Sequence, residues 1–269
     1  QDLWHAAYNG NGSFINHESI EQNIDEITAL INTGFSPSGV ASAGVSNQGF
    51  IDANAVFYNT TFNLETNIGR VEARKVKGDG STSLLWKSKV PATGRQLLSF
   101  DPQNKKGIRL LPMTQSKFMS FSPVERLKMT SEAAPETQFT RYSQWLNNFK
   151  DRPELGPILH SNPVYVGDPT IMPRYTYAVG SPELSQTHEA FRAKMQSTGR
   201  KPMVYVGSND GVFYGLDAAT GNVKFSYMPR FIMPKLNAAR LYAYKSGVDG
   251  PIIVADAFDK STNKWRSIL

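Results

Sequence analysis

The sequence predicts an all-β protein: a β-propeller with quinoprotein-like blades of antiparallel strands, incomplete within this chain, carrying a lead-in helix and helical insertions. Three observations lead there. Apolar residues alternate with period two through several short segments, Gly- and Asx-rich turns separate them, and strands never alternate with helices as in a parallel α/β sheet. An incomplete ring is expected because 269 residues, less the lead-in and insertions, hold only roughly three or four blades of about 40–45 residues. A closed ring needs more, since radial repetition is what protects its edges.

The elements follow in order. Ile20, Ile24, Ile27, Leu30 and Ile31 share one helical face after Ser19, whose partner Gln22 offers a capping box, with Asn16 as a competing start. Gly34 stops that helix, so residues 1–34 form a lead-in segment and 35–269 the partial propeller, opening on a small-residue linker over 35–50. Strand periodicity then begins at Val56, Tyr58, Thr60 and Phe62; Asn67-Ile68-Gly69 breaks it, and strands at Arg70–Val76 and Ser83–Lys87 follow around Lys77-Gly78-Asp79-Gly80. The clearest meander is Met203–Gly207, Val212–Leu216 and Val223–Tyr227. Gly211 and Gly221 close its turns where a positive φ is needed, and Asp217 is placed to cap its own turn. Two weaker strand–turn–strand copies run from Leu97 to Leu110 and from Ile252 to Leu269. Proline-punctuated stretches at about 112–152 and 167–201 read as insertions, with helical segments at Pro123–Met129, Arg141–Phe149 and Glu183–Met195. Long loops on a rigid scaffold are where contact surfaces are made, so both insertions are expected to meet partners.

Composition removes whole classes of chemistry. With no cysteine, disulfides, cysteine–zinc sites, iron–sulfur clusters and thiol nucleophiles are excluded. No apolar window is long enough for a spanning helix, and Gln1 follows no basic and apolar leader, which places any signal peptide outside this chain. The formal charge of +6 is scattered; its densest groups, Arg70, Arg74, Lys75, Lys77 and then Lys105, Lys106, Arg109, read as solvated turn charges rather than a nucleic-acid surface. His160 beside Ser161 suggests nucleophilic catalysis, but adjacent strand residues face opposite ways, so a buried histidine bonded to backbone is expected. His5 is expected to tie the lead-in down, and His17 and His188 to lie on the surface. Tyr205, Phe213, Phe225 and Tyr227 alternate along strands and suit packing between blades, whereas Tyr175, Tyr177, Tyr242 and Tyr244 sit in loops suited to partner contact.

Three stretches resemble PilY/PilC-type proteins of type IV pilus tips: Asp2–Gly10, Leu155–Gly167 (LGPILHSNPVYVG) and Arg200–Gly211 (RKPMVYVGSNDG). The last runs on into Asp217–Gly221, Tyr227-Met228-Pro229, Pro234-Lys235-Leu236 and Val248-Asp249-Gly250-Pro251. Pro157 stands where the family usually carries Asp. The resemblance implies a non-enzymatic pilus assembly factor and adhesin, exported to the cell surface at the pilus tip or held in the outer membrane or periplasm during assembly. Its partners would be minor pilins and a host-cell or abiotic surface ligand, and it would support twitching motility. It also implies calcium, but no loop here alternates the Asp and Asn ligands that calcium needs. Asp79, Asp101, Asp210, Asp217, Asp249, Asp256 and Asp259 read instead as turn caps, which leaves calcium to the family's remaining propeller. The alternative is a quinoprotein-like propeller dehydrogenase; no catalytic, cofactor or metal residue is assigned for it.

Overall fold

The segments of period two become strands. The computed structural model of the chain describes residues 38–40, 45–46, 55–63, 66, 68–79, 81–102, 104–169, 177–236 and 247–269, with side chains from residue 55 onward. The chain divides into two compact units, Gln1–Gly39 and Val40–Leu269. The lead-in helix, His5 and His17 lie outside the described residues. Strand β1 (Ser38–Val40) falls at the unit boundary, and all that follows concerns the second unit.

Its first sheet is built on β3 (Val56–Asn63), to which β2 (Val45–Ser46) and β4 (Ile68–Val76) pair antiparallel, with β5 (Thr82–Lys87) antiparallel on β4. Val71 and Ala73 are fully buried, as their alternation predicts. The break expected at Asn67-Ile68-Gly69 falls slightly earlier, between Asn63 and Ile68, so that Ile68 and Gly69 belong to β4. Both residues stay in the ladder, opposite Asn63 and Phe62, and the Gly69 amide donates to the Leu155 carbonyl at 3.0 Å. Three of the basic residues read as turn charges, Arg70, Arg74 and Lys75, also lie in β4, where Arg70 meets Glu154 at 2.6 Å and Arg74 meets Glu72 at 3.0 Å.

A second sheet of six strands holds the meander. Its order is β7 (Lys106–Arg109), β6 (Leu97–Asp101), β11 (Val223–Tyr227), β10 (Phe213–Asp217), β9 (Met203–Gly207) and β8 (Val164–Val166). Every pair is antiparallel except β6 with β11. The hairpin at 97–110 is therefore an edge of the meander's sheet, not a separate copy of it. The Ser226 amide donates to the Gln96 carbonyl and the Met228 amide to the Leu98 carbonyl, each at 2.9 Å, while the Ser99 hydroxyl reaches Met228 O at 2.7 Å. The turns are as expected: Gly211 and Gly221 take φ of +81° and +71°, values costly for any residue with a Cβ. A third, two-stranded sheet pairs β12 (Ala255–Asp259) with β13 (Lys264–Ile268). The described chain is mostly β-sheet with a few helices, and no closed barrel forms among the described residues.

Residues 112–152 are more regular than their prolines suggest. They fold as α1 (Gln115–Met119), α2 (Pro123–Thr130) and α3 (Pro135–Asp151). Pro123 and Pro135 occupy the first helical turn, where a missing N–H costs nothing, so they start helices instead of interrupting them. Ser122 and Glu125 form a reciprocal capping box. In the second insertion the helix starts later than expected: a 3-10 turn at Pro182–Ser185 precedes α4 (His188–Ser197), which Thr187 caps. One apolar core joins these parts, uniting Val71 and Ala73 of β4, Phe118 of α1, Tyr142 and Leu146 of α3, and the inner face of β9 and β10.

Tyr142 and Tyr214 are fully buried, and burial raises both phenols far above the usual value of about 10. A folded-state pKa above the unfolded one means that stability is intact below pH ~10 and falls as the pH rises further, because the unfolded chain releases those protons first. In an alkaline titration followed at 295 nm, these two rings are expected to ionise in one step with the loss of far-ultraviolet dichroism. Smooth titration of all tyrosines in a chain that stays folded would contradict this.

Candidate functional site

Two of the three stretches that carry the family resemblance, together with the Val248-Asp249 block, converge on one junction; the third, Asp2–Gly10, lies outside the described residues. The segments Leu155–Ser161, Gly207–Gly211 and Gly247–Asp249 meet there, and the Asp249 carboxylate is its centre. Asp249 accepts the backbone N–H groups of Leu159 at 3.2 Å, His160 at 3.1 Å and Ser161 at 3.0 Å. Its Oδ2 also lies 3.1 Å from His160 Nδ1. The carboxylate is 1% exposed, while the His160 ring is 73% exposed. Asp249 was expected to cap its own turn; instead it binds a segment about ninety residues away. His160 was expected to be buried on backbone; instead its ring lies on the surface against this carboxylate.

Ser161 faces the other way and is fully buried, its Oγ accepting the Gly207 amide at 2.9 Å. The Asn209 amide donates to the Pro157 carbonyl at 2.8 Å, and the Val248 amide to Ser208 O at 3.2 Å. A Cβ on Gly207 would lie 1.8 Å from the Val248 carbonyl oxygen, so only glycine lets these backbones approach. His160, Ser161 and Asp249 thus lack the arrangement of a nucleophile and its base, because the serine hydroxyl is turned into backbone and away from the imidazole. What the junction does chemically is hold three loops in register.

A second polar cluster lies beneath it. The Arg95 guanidinium is fully buried and donates to Tyr214 Oη at 2.7 Å, to the Arg152 carbonyl at 3.0 Å and to the Glu154 carbonyl. It also packs over the Phe149 ring, 4.7 Å from the centroid. Tyr214 donates to Asp210 Oδ2 at 2.8 Å, and Asp210 accepts the Ser208 hydroxyl on its other oxygen.

The acids fall into two groups. Asp79, Asp101, Asp217 and Asp259 cap their own turns, bonding groups two or three residues on, as expected. Side-chain bonds from Ser261 and Thr262 hold the Asp259 carboxyl well below the ordinary carboxylate range. Asp256 does not cap a turn. Its Oδ2 lies 2.8 Å from His188 Nε2 and its Oδ1 accepts the Ser267 hydroxyl at 2.6 Å. His188, expected at the surface, is 3% exposed at the start of α4 and meets the Trp265 ring edge-on at 4.9 Å. Of the four loop tyrosines, Tyr177 accepts the His188 amide at 3.0 Å; the other three lie outside the described residues. Among the described residues these carboxylates are engaged by protein donors, and no three acidic, His or Cys groups converge.

The structure therefore defines a β-sheet protein whose motif residues serve as long-range polar clasps. Comparison with known proteins bears out the PilY/PilC resemblance over the whole chain. It is 28% identical, over 299 aligned positions, to the Type IV pilus biogenesis factor PilY1 of Pseudomonas aeruginosa strain UCBPP-PA14, and all of the chain is covered. It is 26% identical over 285 positions to the PilY1 homolog of Xylella fastidiosa strain Temecula1, with 99% of the chain covered, and 26% identical to PilY1 of P. aeruginosa strain PAK. The chain spans about a quarter of the length of these relatives, 25%, 22% and 25% respectively. No family model matches the chain. No solved structure matches it either.

The clasp makes a quantitative expectation. Replacing Asp249 by Ala strands several amide donors at once and is expected to cost about 2–4 kcal/mol in urea unfolding. His160→Ala removes only an exposed partner and should cost under ~1 kcal/mol. Equal losses in the two variants would show that the histidine, not the amide set, gives the carboxylate its value.

Proposed function

We propose that this chain is part of a non-enzymatic, exported factor of type IV pilus biogenesis that also acts as an adhesin. The carrying observation is its similarity, from end to end, to relatives named as type IV pilus biogenesis factors. In this reading minor pilins of the tip are one partner and a host-cell or abiotic surface the other. The protein works at the cell surface at the pilus tip, or in the outer membrane or periplasm during assembly, and supports twitching motility. Calcium belongs to parts of the longer relatives that this chain does not cover.

The β-propeller belongs to the same reading. In its support, β8 to β11 run as four consecutive antiparallel strands. One face of this meander is apolar and buried through Val204, Val206, Tyr214 and Leu216. The other is a half-covered aromatic face on which Tyr205 stacks with Phe213, ring centroids 5.7 Å apart. A blade stacked between two neighbours needs cover of that kind on both sides. The non-enzymatic reading is supported by the junction itself, where the polar side chains of the motif blocks are spent on backbone groups.

The test is genetic and biochemical. In the full-length protein, deleting the segment that corresponds to this chain is expected to reduce surface pili and twitching to the level of a complete knockout. Tagged full-length protein should co-purify minor pilins, and the deleted form should not. Normal piliation, motility and pilin recovery in the deleted form would overturn the reading.

A further inference from the structure

We infer that helix α4 and the hairpin β12–β13 form one latched unit, which opens and closes as a whole while the two larger sheets stay folded. This inference goes beyond the pilus reading and does not depend on it. Its basis is what lies at the centre of this corner. In α4, β12 and β13 no residue but His188 is buried as a whole. None of the three elements contributes a side chain to the apolar core that unites the larger sheets. That core is packed apolar matter, whereas this corner closes on an imidazole and a carboxylate. The Asp256 side chain is 6% exposed and its Oδ2 lies 2.8 Å from His188 Nε2. Its Oδ1 accepts the Ser267 hydroxyl, whose oxygen accepts the Arg200 guanidinium at 2.9 Å. One carboxylate thus ties both strands of the hairpin to the start of α4, and Ser267 ties them to the segment that leads from α4 into β9.

Rings close around the pair. Trp265 meets His188 edge-on at 4.9 Å, Phe258 meets Trp265 edge-on at 5.6 Å, and Phe191, on α4, lies 5.9 Å from His188. The Trp265 indole N–H donates to the Gln186 carbonyl at 2.7 Å, next to the Thr187 cap. These contacts run between the helix and the hairpin rather than within either. A two-stranded hairpin is marginal on its own, and its departure would strand a buried imidazole, so opening takes helix and hairpin together. A buried pair of this kind sets its attraction against the desolvation of both groups, and therefore fixes an arrangement while adding little net stability. Segments with few buried apolar contacts open most readily. The unit is accordingly held in one position and released at a lower free energy than the sheets beside it.

Hydrogen exchange in the full-length protein, read by mass spectrometry, tests the latch. Amides of α4 and of the hairpin are expected to exchange through openings at least about tenfold more frequent than those of β9 and β10. Thr187→Ala removes the hydroxyl that accepts the Ala190 amide at 3.2 Å and caps α4. It is expected to raise the opening of α4 by about threefold or more, and that of the hairpin by the same factor, although Asp256 lies 68 positions from His188. Asp256→Ala is expected to raise both by about tenfold or more, with β9 and β10 unchanged. Ser267→Ala is judged by the same criteria if Asp256→Ala fails to fold. Three results overturn the inference: a Thr187→Ala effect confined to α4, a hairpin as protected as β9 and β10, or a change that spreads to β9 and β10 in a folded variant.

Discussion

The architecture depends on where one positive charge is put. Arg95 cannot surrender its proton, and its side chain is entirely out of water, so every hydrogen bond that it makes constrains another element. Its acceptors come from the carbonyls just after α3 and from the phenol of β10. The Phe149 ring of α3 covers its flat face. The compensating charge, Asp210, lies 3.9 Å away and is bridged by Tyr214. The end of a helix, the segment leading to the LGPILHSN block and the turn of the meander are thereby locked to one point. Removing either charge would leave the other buried and uncompensated, a loss of about 3–5 kcal/mol in comparable sites. Replacing both with well-fitted apolar groups need cost nothing, so specificity of arrangement is the better account of the pair.

The same device recurs. Asp249 binds the Leu159–Ser161 backbone, and Asp256 holds His188 and Ser267 together, so that the second insertion and the terminal hairpin share a buried polar contact. Trp86 adds a neutral version, its indole N–H reaching the Ala218 carbonyl at 3.0 Å and its ring lying over Gly221, which joins the first sheet to the meander's turn. Some of the residues that make the chain recognisable therefore hold loops to sheets, alongside Arg95, Trp86 and Asp256, which lie outside the motif blocks. Among the described motif residues, Ser161, Gly207, Asp210 and Asp249 all act in this way, joining segments that lie far apart in the sequence.

Much of the local structure was legible. Alternation at Val56–Asn63 and through Met203–Tyr227 located strands, and Asp-Gly and Thr-Gly located their turns. Asp79, Asp217 and Asp259 could be read as caps because their donors lie two or three residues away. The helices of the first insertion were only half legible, since Pro135 is punctuation in a linear reading and a helix start once Ala134 precedes it in extended conformation. No local signal told Asp249 and Asp256 apart from the turn-capping acids, or exposed His160 from buried His188.

By itself the sequence determined the β-rich class, the meander, the positive-φ turns, the self-capped acids and the similarity to pilus biogenesis factors. Each rests on interactions spanning a few residues or on the order of the motif blocks. Only the tertiary structure decided that the hairpin at Leu97 joins the meander in parallel, that Arg95 and Tyr214 meet across 119 positions, and that Asp249 serves a backbone 88 to 90 residues away. A buried charge takes whatever donors the packed core brings within about 3 Å, and that choice is made by the approach of whole elements rather than by spacing along the chain.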